Sequence, residues 1–392
     1  MSRPIVLALF FLAVFLQSGT YGLTFLLPEL FAGFDANEKD VGKALLITTG
    51  VTLTTVYFSG HLSDLLGRMV TLGLSGFTIA VALMLYSVAE SIGASLILAS
   101  ALIGFGWGLM YTLAPVVLTR LSGASNRVQV FSLYSVFVMS GFGLSPVFAA
   151  WMEVRGFSIR DAFQVVAVCC VLSGSLFLLL RIPIERHALA EAPNTRSRLS
   201  LFAVAAIFRS RGWLPVTMVL LGASVFAGLN NFQTSIAKAE GLDYADYFLA
   251  YTITTVICRV AFAGYNGGAS PYRMIAGLQY VMAASALLFL IVDGSQWIYI
   301  ACAILFGVGY GASYPILAAM AANDADEHLV PQTLQLFALT YFIGIFGFPY
   351  VAGWLIVDFN IPVLLIVVAL LAAIEATMAL IRSRRDVGKT RA

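Results

Sequence analysis

The sequence predicts an all-α membrane protein of twelve transmembrane helices, arranged as two pseudo-symmetric six-helix bundles with both termini on the cytoplasmic side. Three observations carry this. Hydrophobic residues make up 60% of the 392-residue chain and charged residues 11%, against about 25% charged in a typical soluble domain. Such a chain has more apolar surface than a water-soluble core can hide. The apolar residues are gathered into runs of the length that crosses a bilayer, about 20 residues, and the two halves of the chain repeat one another.

The repeat is explicit. Gly104-Phe-Gly106-Trp107-Gly108-Leu-Met-Tyr111 is echoed by Gly307-Val-Gly309-Tyr310-Gly311-Ala-Ser-Tyr314, 203 positions later. Gln129-Val-Phe131-Ser-Leu133 and Gly141 recur 206 positions on as Gln335-Leu-Phe337-Ala-Leu339 and Gly347. Gly22-Leu23 and Gly228-Leu229 keep the same 206 spacing. Two like-oriented bundles imply a pseudo-twofold axis along the membrane normal, with a cavity between the halves near mid-membrane.

Taken in order, the candidate spans are 4–27, 41–61, 69–88, 93–119, 128–152, 161–181, 213–236, 245–264, 272–292, 297–322, 331–355 and 361–381. The first run exceeds the apolar stretch of a secretory signal, has a single Arg3 ahead of it and is followed by further spans, so it reads as retained. The longest connection, 182–212, is rich in charge and proline until Leu199–Phe208. It reads as a cytoplasmic linker, part of it an amphipathic helix on the inner surface, with regulation as the alternative. The expected divisions are therefore an N-terminal bundle 1–181, the linker 182–212, a C-terminal bundle 213–381 and a basic tail 382–392.

Orientation follows from the basic residues. With the N-terminus inside, sixteen of the 22 Lys and Arg residues fall in cytoplasmic segments, including Arg196, Arg198, Arg273 and Arg391. Only Lys39, Lys43, Arg155, Arg160 and Lys238 fall outside, and Arg259 lies within a span.

The turn between the second and third runs reads Gly60-His61-Leu62-Ser63-Asp64-Leu65-Leu66-Gly67-Arg68. Gly60 and Gly67 allow close approach and unusual φ, and Asp64 and Arg68 put opposite charges into one tight turn. The pattern G-x-x-x-D-x-x-G-R resembles the loop between helices 2 and 3 of the major facilitator superfamily, a family of secondary transporters. With the repeat, the resemblance covers nearly the whole chain. Other family patterns are weakened. Ser132, Gly141, Ser145-Pro146 and Ala149-Ala150 resemble the family's antiporter pattern with Ser and Ala in place of Gly, which leans towards export. Ser100 and Ile103 stand where the Arg and Gln of the fourth-helix pattern would be. The second-half counterpart of the turn, Gly264 to Arg273, has no Asp.

In such a fold Asp64 lies near the start of the eleventh span, where Pro331 suits a first helical turn. A carboxylate at a helix N-terminus is favoured by about 0.3–1 kcal/mol. Arg68 or Arg273 would face the acidic run Asp324-Ala-Asp326-Glu327. The expectation is a latch that holds the cytoplasmic side shut in the outward-facing state; the alternative is that Asp64 only shapes the turn.

Ionisable groups inside a membrane are costly and therefore functional suspects. Here they are Arg259 in the eighth span and Glu375 in the last, with Glu29 and Asp161 at the outer interface. Arg259 has two readings, an anion contact or a snorkelling structural residue. No carboxylate falls in the middle of the spans that line the cavity in this family, so a neutral or anionic solute is expected rather than a cation. The expected cavity residues are uncharged: Gln17 and Tyr21, Thr48 and Thr52, Trp107 and Tyr111, Tyr134, Asn230, Asn231 and Gln233, and Tyr310 and Tyr314. Any one of them could instead bind a neighbouring helix. For Asn230 and Asn231 a solute contact is favoured, since two adjacent amides cannot both serve one helix contact. Aromatic and amide walls suit a mid-sized organic molecule.

No catalytic grouping, phosphate loop or metal spacing is present, and no cofactor is implied. Cys169, Cys170, Cys258 and Cys302 all lie in apolar segments without disulfide or metal spacing, and the three histidines are far apart. The expected function is secondary active transport of a small neutral or anionic organic solute by alternating access, with proton-coupled export ahead of metabolite uptake by symport. A non-transporting sensor or assembly protein with the same fold is the reading from a different class. The expected partners are that solute, protons and the lipid bilayer, not nucleic acid. The chain is expected to act as a monomer, multi-pass, in a bacterial inner membrane.

Overall fold

The computed structural model describes residues 2–122, 126–187, 199–263 and 270–390, with side chains for all of these except 127–128 and 386–390. Arg196, Arg198 and the middle of the 182–212 linker, Gly264 and Arg391 lie outside the described residues.

The described chain is all-helical. The spans are α1 Arg3–Thr24, α2 Glu38–Leu66, α3 Arg68–Ser87, α4 Ala94–Leu121, α5 Arg127–Val154 and α6 Ile159–Leu179 in the first bundle. The second has α7 Trp213–Asn230, α8 Tyr244–Ala261, α9 Pro271–Leu288, α10 Gln296–Asn323, α11 over 330–358 and α12 Ile361–Thr390. Among the described residues, eleven of these have the length and apolarity to cross a membrane. The twelfth, α8, has the length, but Asp246, Arg259, three tyrosines and three threonines keep it short of that apolarity. Short helices follow α1 at Leu27–Ala32 and α7 at Gln233–Glu240, and others occupy Arg181–His187 and Leu201–Arg209.

Local chemistry explains the starts. Asn37 caps α2, its side chain accepting from the Lys39 N–H at 3.0 Å while its own N–H reaches Asp40; Ser158 and Asp161 cap α6 in the same reciprocal way. Such caps satisfy the orphan N–H groups of a first turn. The turn between α2 and α3 is tighter than expected. Helix continues through Gly60 to Leu66, and the reversal is made at Gly67 alone, at φ +86°. A single residue suffices there because glycine has no Cβ to oppose a positive φ.

Within each bundle the glycine triplets set the packing. A Cβ on Gly106 would meet the Ser75 carbonyl of α3 at 2.8 Å, and one on Gly309 would meet the Leu278 carbonyl of α9 at 2.9 Å. So α4 and α10 lie against their neighbours with backbone almost touching backbone, the usual means of holding helices together in lipid. Across these seams Thr48 donates to the Ser100 carbonyl at 3.0 Å and Thr52 to the Gly104 carbonyl at 3.2 Å.

Two helix pairs join the bundles: α2 with α11, and α5 with α8. Gly42 sits against the Pro349 and Tyr350 backbone, and Gly143 against Thr252. α11 is interrupted by a π-turn over Ile343–Gly347, where Gly344 presses on Leu220, Ala223 and Ser224 of α7.

Candidate functional site

Between the bundles lies a cavity of about 540 Å³. Its walls come from the second half of α4, the first half of α5, the end of α8, the second half of α10, and α11. All of these stretches run towards the face that bears Arg68, Arg120, Arg181, Arg273 and Arg382, called here the basic face. Exposure grades along the cavity: Val138, Met139, Tyr310 and Tyr341 at its deep end are buried, whereas Phe131, Ser132, Tyr314, Ala318 and Ala263 nearer the basic face are not. The cavity is therefore open towards that face.

Tyrosines form its walls. The Tyr111 and Tyr314 hydroxyls meet at 2.8 Å across the two bundles, and those of Tyr310 and Tyr341 are 3.2 Å apart. Tyr111 stacks on Tyr341, and Tyr134 lines the cavity with a buried hydroxyl that has no partner among the described residues. Among the described residues Arg259 is the one charged residue in the lining, and it is only 6% exposed. One guanidinium nitrogen, Nη1, donates to the Ser135 hydroxyl, while Ser132 donates to the Arg259 carbonyl. The guanidinium carbon lies 5.6 Å from the Tyr314 ring centre and 5.9 Å from that of Tyr310, within cation–π range. Nε and Nη2 have no acceptor among the described residues.

Beyond the deep end the bundles are sealed by rings. Tyr21, Phe25, Trp107 and Phe142 from the first bundle meet Phe226, Phe248 and Phe346 from the second, none more than 3% exposed. Phe25 and Phe248 stack at 5.3 Å, and Tyr21 touches both Phe226 and Phe346. At the far face, polar contacts also cross the seam. Ser235 donates to Glu38 at 2.8 Å, Tyr244 donates to Glu153 at 2.7 Å, and Lys39 pairs with Asp358. Beside Tyr244, burial and the adjacent Glu153 carboxyl raise the Glu29 carboxyl to about 7.

Of the residues expected at the cavity, Tyr111, Tyr134, Tyr310, Tyr314 and Arg259 are brought together there. Tyr21 and Trp107 stack on each other in the aromatic seal. Gln17 instead faces its own bundle, donating to Ser75 at 2.9 Å and accepting from Ser173 at 3.3 Å. Thr48 and Thr52 point into the α2–α4 seam. Asn230 and Asn231 each donate to a carbonyl of their own helix, Phe226 and Ala227, at 2.9 and 3.0 Å. Both amides thus serve the end of α7, a use that the adjacency argument overlooked. Gln233 donates to the Tyr299 hydroxyl at 2.7 Å. Glu375 is wholly buried inside the second bundle, where its carboxyl accepts from Gln279 at 2.9 Å beneath Gly222.

Gly60, Asp64, Gly67 and Arg68 lie apart from the cavity. Asp64, Gly67 and Arg68 line a separate hollow of about 270 Å³ at the basic face, together with Arg120 and Glu185. Asp64 is exposed and forms no ion pair among the described residues. Of the acidic run expected to hold Arg68 or Arg273, Asp324 is engaged elsewhere: it accepts from Tyr272 at 2.7 Å and from Arg382 at 3.5 Å.

Ser135 and Tyr341 are cavity residues that sequence reasoning missed. Their spacing is 206, the same as that of the flanking repeat, so the repeat could have found them.

Comparison with known proteins agrees with this architecture. A crystal structure of the E. coli fucose:proton symporter FucP superposes with a TM-score of 0.60 at 17% identity, covering 97% of this chain and 99% of that one. None of the curated protein sequences matches. The family model of the Major Facilitator Superfamily matches residues 9–349, and the chain belongs to that superfamily of secondary transporters.

Proposed function

We propose that this transporter carries a small neutral or anionic organic solute through the cavity between its bundles, by rocking them about the α2–α11 and α5–α8 contacts. The observation that carries the reading is one cavity with two unlike ends. It is open towards the basic face and closed towards the other by rings and cross-bundle hydrogen bonds, which is one of the two conformations that alternating access requires. The excess of Lys and Arg assigns the basic face, and both termini with it, to the cytoplasm. Residues 1–181 and 213–381 are the rocking units and 182–212 is their tether. When the bundles tilt the other way, Tyr21, Trp107, Asn230, Asn231 and Gln233 become the lining on the outer side, and Asp64 comes up against the start of α11.

Proton-coupled export is the favoured direction. Two features support it: the small-residue stretch of α5, whose Gly143 lets that helix meet α8 closely, and the Glu29 carboxyl, which burial and Glu153 raise to about 7. Flux of neutral and anionic metabolites in proteoliposomes, with and without an imposed pH gradient, tests it. Counterflow of solute against protons is the expected result. Co-directional flux would reassign the chain to symport, and binding without flux would reassign it to a sensor.

A further inference from the structure

We propose that the cavity takes an organic monoanion, its carboxylate held by Arg259 and its flat apolar body lying among Tyr111, Tyr310 and Tyr314. The inference rests on the reading of this cavity as the solute site and adds the chemical class of its occupant.

The guanidinium is nine-tenths buried and cannot lose its proton. A buried charge with no counter-charge is strongly unfavourable, more so at membrane depth. Among the described residues no carboxylate lines the cavity, and Arg259 forms no ion pair. The protein has satisfied only part of the group: Nη1 is spent on Ser135. The two nitrogens left without an acceptor, Nε and Nη2, are the adjacent pair whose N–H bonds run parallel. That pair matches the two oxygens of a carboxylate. The Tyr134 hydroxyl, also buried and without a partner among the described residues, supplies a further donor at the same wall.

The remainder of the cavity sets the rest of the molecule. Apart from tyrosine and serine hydroxyls its lining is apolar, and its volume of about 540 Å³ belongs to the range that encloses a small organic ligand, about 300–1,000 Å³. One cation in such walls suits one negative charge on an apolar body. An inorganic phosphate or a dicarboxylate would need a second cation, and among the described residues the lining holds none.

The test uses the purified full chain in nanodiscs and equilibrium binding of three near-isosteric probes: 3-phenylpropionate, 3-phenylpropanamide and 3-phenylpropylamine. The expected result is saturable binding of the carboxylate, with the amide and amine weaker by about 30-fold or more. Arg259→Gln is expected to lose the carboxylate to the same extent, and Arg259→Lys to keep part of it. Equal binding of the amide, unchanged carboxylate binding in folded Arg259→Gln, or no carboxylate binding at all overturns the proposal. Should Arg259→Gln not fold, the three-probe comparison on the unaltered protein decides. Binding does not require flux, so the two readings fail separately. Carboxylate binding without flux removes transport and leaves the anion site. Flux of neutral solutes without carboxylate binding does the reverse.

Discussion

Tyr111 and Tyr314 occupy equivalent positions in the two halves, 203 residues apart, and their hydroxyls meet at 2.8 Å across the seam between the bundles. The pseudo-twofold axis therefore passes close to this bond, which ties the bundles together at one wall of the cavity. Tyr111→Phe or Tyr314→Phe alone leaves one hydroxyl without its mate, at an expected cost of about 0.5–1.5 kcal/mol. The double variant is expected to cost less than the sum of the two. Thermal melting of the four proteins in one detergent measures the coupling, and strict additivity would remove the bond as a tie.

Gly143 of α5 lies so close to the Thr252 side chain of α8 that a Cβ there would overlap it. A side chain there overpacks this conformation and not one in which the helices part, and overpacking costs about 1–3 kcal/mol. Gly143→Val is therefore expected to shift the population towards the conformation closed at the basic face. With Ser135→Cys as reporter, in a background free of the native cysteines, labelling from the basic side should slow by about tenfold. Labelling at the original rate would show that the seam yields.

Among the described residues Asp64 makes no ion pair, so a latch formed with α11 belongs to the opposite conformation. Asp64→Asn is expected to leave expression and melting temperature unchanged while lowering flux, because only the outward-facing state loses a contact of about 0.3–1 kcal/mol. Normal transport kinetics in that variant would leave Asp64 as a shaper of the turn.

Glu29 gives the protein a pH dependence of defined sign. Burial favours its protonated form most, Glu153 and Asp243 favour it further, and Lys238 opposes them. Its affinity for a proton is higher in this conformation than in water, so acid favours closure of the far face. That preference is complete below the ordinary carboxyl range, about 4.3, and fades as pH rises through about 7. Spin-label distances across the basic face should therefore show the open population rising as pH falls. The trend should flatten in Glu29→Gln, and a distance indifferent to pH in the unaltered chain would exclude the effect.

Gln17 is fully buried between Ser75 and Ser173, so its expected role is cohesion of the first bundle. Gln17→Leu should destabilise by about 1–3 kcal/mol, since it strands buried partners, while flux per folded molecule is retained. Lost flux at unchanged stability would return Gln17 to the transport path.

The spans were legible because the bilayer imposes one length on every apolar run, and the repeat then supplied the bundle arrangement. The tyrosine wall was legible for the same reason, since Tyr111 and Tyr314 stand out as a repeated aromatic at one spacing. Helical spacing tells which face of a helix avoids lipid, but not whether that face meets a neighbour or a hollow. Gln17, Thr48 and Thr52 fall to that ambiguity, all turned into helix seams. Asn230 and Asn231 show a second limit, since helix-end amides can bond their own carbonyls, as both do at the end of α7. The nine residues from Gly60 to Arg68 read as one tight turn, yet helix persists to Leu66, and Gly67 at φ +86° reverses the chain by itself.

The plug of rings beyond the cavity has a thermal consequence. Ring faces hold each other without directional bonds, and parting them wets apolar carbon. Wetting carbon raises heat capacity and becomes easier in the cold. The balance between the two facings should therefore curve with temperature, and chilling should loosen the closure at the far face well before it unfolds any helix.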